Sequence, residues 1–76
     1  MYALDNDSRR ANCAAAELRD LRVRLLNLEQ VYPDTIPAKI KQVDHLIKQL
    51  DTKPTPHNAY TAFRFVAETW DLLRRL

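Results

Sequence analysis

The chain contains no glycine. Soluble domains average about 7% glycine, so several would be expected in a chain of this length. Glycine is the usual source of positive φ angles and of close backbone approach. Without it, two-residue hairpin turns are poorly accessible, and the glycine-rich loops that cradle phosphates cannot be built. The four prolines fall in two short stretches, Tyr32 to Pro37 and Lys53 to Pro56. Together these features predict helices joined by proline-marked links.

The apolar spacing places the helices. Ala11, Ala14, Leu18, Leu21, Leu25, Leu28 and Tyr32 alternate steps of three and four, as in a packed helical seam. A first helix is therefore expected from about Asp7 to Tyr32, roughly 39 Å long and longer than a compact three-helix domain needs. Asp5, Asp7 and Ser8 are its candidate N-caps, and Asp20 and Arg24 stand in the favoured i,i+4 order. Pro33 stops it, because the residue before a proline avoids the α region. Thr35 is the expected N-cap of a second helix, with Pro37 tolerated in the first turn. Ile36, Ile40, Val43, Ile47 and Leu50, with Leu46 beside them, give that helix one apolar face to about Asp51. Its far side carries Lys41, His45, Lys48 and Thr52. Thr55 followed by Pro56 is a strong start signal for a third helix. That helix is expected to run to Leu76, with Ala59, Phe63, Val66, Trp70 and Leu73 on its main face. Arg74 and Arg75 suit its C-terminal dipole.

Short links make consecutive helices antiparallel. The expected fold is a small all-α, antiparallel three-helix bundle with a long first helix, forming one domain over residues 1–76. The expected core holds Leu18, Leu21, Leu25, Leu28, Ile40, Val43, Ile47, Leu50, Phe63, Val66, Trp70 and Leu73. A domain of this size buries only about 60% of its unfolded surface. That leaves little room for a deep catalytic pocket beside the core.

The third helix has more apolar surface than one core face requires. Phe65, Leu72 and Leu76 form a second stripe, and the polar arc of His57, Arg64, Glu68, Asp71 and Arg75 spans only about 80°. If this helix is wedged between the other two, the stripe is core. If it is not, the stripe is a contact surface for another chain, since apolar patches and aromatic anchors mark interfaces. Val23 and Leu26 lie off the main seam of the first helix and make it a second contact element.

Chemistry finds no foothold in this sequence. Neither His45 nor His57 has a second histidine at i+3 or i+4, so metal ligation has no local support; both read as solvated residues. Cys13 is the only cysteine, which excludes an intrachain disulfide and a multi-cysteine zinc site. A nucleophile elbow needs glycines. No catalytic residue, metal site, cofactor or small-molecule substrate is expected, and the chain reads as a non-enzyme.

Nucleic acid is the main competing partner. Arg9, Arg10, Arg19, Arg22 and Arg24 fall in the first helix, and arginine is well suited to phosphate. They are spread around it, however, with Asp7, Glu17, Asp20 and Glu29 among them, and the net charge is only +2. No stretch approaches the roughly 18 apolar residues of a membrane span. The acidic start Met1 to Asp7 lacks the apolar run of a signal peptide. A lone thiol fits a reducing compartment, so the expected location is cytoplasmic.

No motif matches a family residue by residue. In kind, the chain looks like the small accessory proteins of bacteriophages and other mobile elements, single domains that inhibit or redirect a larger machine by binding it. That likeness, with the surplus stripe, implies a small regulator or inhibitor that binds a larger protein or pairs with itself as a homodimer. A nucleic-acid-binding regulator using the arginines of the first helix is the alternative.

Overall fold

The computed structural model describes residues 6–76. Asp5, one of the expected caps, lies outside the described residues. Three helices follow one another, α1 (Asn6–Leu28), α2 (Ile36–Thr52) and α3 (Pro56–Arg74), with no strand among the described residues. They run up, down and up in a small all-α bundle. The molecule measures 47 × 20 × 20 Å with a radius of gyration of 13.3 Å. A compact domain of this length would have about 11 Å, so the bundle is a rod, as the long first helix predicts.

α1 ends four residues before the expected Tyr32. Pro33 disfavours helical geometry at the residue before it, and the chain tightens before reaching that point. The Val31 and Tyr32 N–H groups both donate to the Leu28 carbonyl, at 3.1 and 3.0 Å. The Tyr32 carbonyl then accepts from Thr35 and Ile36 at 3.3 and 3.0 Å, carrying the chain straight into α2. Thr35 is therefore held in the α region, with φ −103° and ψ −45°, and its side chain makes no capping bond. The expected hydroxyl cap of α2 is not realised.

α3 starts as expected. Thr55 is extended, with φ −87° and ψ 157°, and its Oγ1 accepts from the Asn58 N–H at 3.1 Å. Asn58 Nδ2 donates back to the Lys53 carbonyl at 2.9 Å, which ties the link to the first turn of the helix. At the far end the helix closes at Arg74, two residues short of the chain end. Neither a positive φ angle nor a cis peptide bond occurs among the described residues.

The α1 seam is the expected one. Ala11, Ala14, Leu18, Leu21 and Leu25 are buried, and Leu28 and Tyr32 pack half-buried at its end. On α2, Ile36, Ile40, Val43, Leu46 and Leu50 are buried, whereas Ile47 is only partly covered. α3 departs further from expectation. Its buried line is Ala59, Ala62, Val66 and Thr69, while Phe63, Trp70 and Leu73 are half-buried. The buried face is thus rotated toward small side chains. Small residues let helix backbones approach closely without voids, and the large rings flank that contact rather than fill it.

α1 is the central helix. It packs along both α2 and α3, which touch each other far less. The alternative that the third helix sits wedged in the middle is therefore corrected: its surplus apolar stripe is not explained by two-sided burial.

Candidate interaction surfaces

The thin contact between α2 and α3 leaves an open groove of about 370 Å³, lined by Lys41, Gln42, His45 and Leu46 from α2 and by Thr61 and Phe65 from α3. Its position follows from the helical repeat. At about 100° per residue, Lys39, Gln42 and Leu46 fall on the edge of α2 toward α3. By the same count Phe65, Leu72 and Leu76 fall on one flank of the Ala59–Ala62–Val66–Thr69 seam. Phe65 packs its inner side against the core. The Lys39 ammonium lies 5.5 Å from its ring centroid, within cation–π range. Leu72 is half-buried and Leu76 is 53% exposed. The stripe read from the sequence therefore begins as the floor of a groove and ends as open surface.

No carboxylate lines this groove. The nearby acids of α3 are bound along their own helix, Glu68 by Arg64 at 3.2 Å and Asp71 by Arg75 at 2.9 Å. Asp44 of α2 is turned to the other side, where Arg22 of α1 holds it through Nε at 2.7 Å and Nη2 at 3.4 Å. The hydrogen bond to Asp44, then the attraction of its charge, pushes the Arg22 pKa above its ordinary value.

The arginines of the first helix do not form one surface. Arg22 is engaged by Asp44 across the α1–α2 boundary. Arg19 borders a hollow with Ile47, Leu50 and Asp51 of α2, whereas Arg10 borders one with Pro56, Tyr60 and Phe63 of α3. These hollows lie on opposite edges of α1. Arg9 and Arg24 are exposed elsewhere on the helix. Among the described residues Asp20 and Arg24 do not pair; the ion pairs are Arg22–Asp44, Arg64–Glu68 and Asp71–Arg75.

Val23 and Leu26 are exposed at 60% and 43% and form a second, smaller apolar patch on α1. Val31 and Tyr60 are also open to solvent; by its spacing Tyr60 flanks the main face of α3, where it borders the hollow with Pro56 and Phe63. Cys13 is exposed on α1. His45 borders the α2–α3 groove, and His57 is exposed at the start of α3. Among the described residues, no three His, Cys, Asp or Glu side chains are grouped to hold a metal ion. No described helix is long and apolar enough to cross a membrane.

The groove residues of α2 were the part that sequence reading missed. Lys41 and His45 sit on what reads as a plain polar face, and only the docking of α3 turns them into the wall of an apolar cleft. No protein-family model matches the chain, nor does any curated protein or solved structure.

Proposed function

We propose that this chain is a non-catalytic protein-interaction module, a small regulator or inhibitor that works by occupying a larger protein. One observation carries the reading: the second apolar stripe of α3 is only partly covered, with Phe65 and Leu72 half-buried and Leu76 exposed, because α3 leans on α1 and barely on α2. Phe65 and Leu46 line an apolar groove there, and Leu76 continues the stripe in the open. Apolar surface of this kind marks an interface in a small protein, and a half-buried aromatic is a typical anchor. The Arg-rich first helix supports a nucleic-acid role less well, with Arg22 tied to Asp44 and the others on different sides.

The test is site-specific photocrosslinking in the cell that naturally makes the protein. A photoreactive residue at Leu76 should give a discrete heavier adduct. The same residue at exposed Cys13, on α1 away from both apolar patches, should give none. An adduct of twice 8.9 kDa identifies the occupant as a second copy; a larger one identifies a foreign protein. If Leu76 captures nothing that Cys13 does not, the reading fails.

A further inference from the structure

We infer that the α2–α3 groove receives an acidic amphipathic helix of a partner protein, an inference that rests on the interaction-module reading above. The groove combines an apolar floor with a basic, carboxylate-free rim. Leu46 and Phe65 supply the floor, and Lys41, Gln42, His45 and Thr61 supply the polar wall. Lys39 adds a second ammonium directly over the Phe65 ring. Neither lysine has a carboxylate partner among the described residues, while Glu68, Asp71 and Asp44 are each bound by an arginine. The acids nearest the groove are engaged elsewhere. Negative charge on an incoming segment would complement this rim.

The shape selects a helix. Two antiparallel helices that both lean on a third leave a trough parallel to their axes, and a further helix laid there completes a four-helix arrangement. Helix-in-groove recognition reads apolar anchors at i, i+3 or i+4 and i+7. Phe65 and Leu72 are spaced seven apart on α3, so they repeat at the same interval as such anchors. The partner helix thus carries a strip of Leu or Phe facing the groove, with Asp or Glu flanking it toward Lys39 and Lys41. Charge complementarity of this kind fixes orientation and speeds encounter more than it adds affinity.

Two synthetic peptides of about 15 residues, long enough to hold a helix, test this against the isotope-labelled chain by NMR titration. Both carry Leu and Phe at i, i+4 and i+7. One has Glu at the flanking positions, and the other has Lys there. The Glu peptide is expected to move the amide resonances of Gln42, His45, Leu46, Thr61 and Phe65, and to bind about tenfold more tightly than the Lys peptide, a few-fold for each of the two rim charges. Lys41→Glu, a surface change that leaves the core intact, should erase most of that preference. Equal binding of both peptides at these residues overturns the acidic partner while leaving the face itself standing. Failure of both peptides to move these resonances overturns the inference together with the face. Displacement of the Glu peptide by a single-stranded oligonucleotide, with a steep dependence on salt, also overturns it and assigns the rim to phosphate.

Discussion

Thr35 and Thr55 each stand one residue before a helix with a proline in its first turn, and the two behave differently. Thr55 is extended, and its hydroxyl accepts the Asn58 N–H. Thr35 is in the α region, with its own N–H and that of Ile36 bonded to the Tyr32 carbonyl, and its hydroxyl makes no capping bond. Thr55→Ala should therefore lower the stability by about 1 kcal/mol, the usual cost of a lost cap. Thr35→Ala should stay within about 0.5 kcal/mol of the parent, as for an ordinary surface change. Urea unfolding with equal m-values for the three proteins checks both; a comparable loss at Thr35 would refute the distinction. The same scale shows where sequence reading stops. The Thr55 cap acts on its own neighbours and was legible, whereas the Thr35 cap expected by the same rule is not formed. Arg22 binds Asp44, 22 positions away on another helix, and no local rule announces that.

At the scale of elements, the seam of α1 was read correctly, though the helix ends four residues early, and the buried face of α3 was misread, for one physical reason. On α1 the large apolar residues and the heptad positions coincide, at Leu18, Leu21 and Leu25. On α3 two heptad lines compete: Ala59, Phe63, Val66, Trp70 and Leu73, or Ala59, Ala62, Val66 and Thr69. Side-chain hydrophobicity favours the first, and burial follows the second. Small side chains bring the axes of α1 and α3 together, and the rings then cover the seam from its flank. Ala62 is fully buried, so enlarging it should be costly. Ala62→Leu is expected to lose about 1–3 kcal/mol, the usual penalty of overpacking. A thermal melt would show this; an unchanged or raised midpoint would mean that α3 does not lie tightly on α1. The candidate site was legible in half. Phe65, Leu72 and Leu76 were marked by their own periodicity. The wall from α2 required knowing which helix lies beside which.

For the molecule as a whole, the core is small and its stability correspondingly slight. A domain of this size gains no more than about 3–5 kcal/mol from one core. Leu18 is fully buried in the central helix, and truncating a buried leucine costs about 2–5 kcal/mol. Leu18→Ala should therefore leave much of the chain unfolded at room temperature, read as a loss of helical circular dichroism. A cooperative melt with unchanged midpoint would contradict the proposed core. Ligand that binds only the folded form adds stability in proportion to its occupancy. The acidic amphipathic peptide should thus restore helicity to this variant, which links the groove to the fold as a whole.

The backbone never enters the left-handed region among the described residues, and no position is reserved for glycine. Each described position has a conformation open to L-residues bearing a side chain, so substitutions outside the prolines and the Thr55 cap, other than to proline within a helix, meet no conformational veto. Drift in such a chain is limited by seam volume and by the apolar count of each face. Two descendants could keep the same three helices while sharing few letters, and what they inherit in common would be a pattern of sizes.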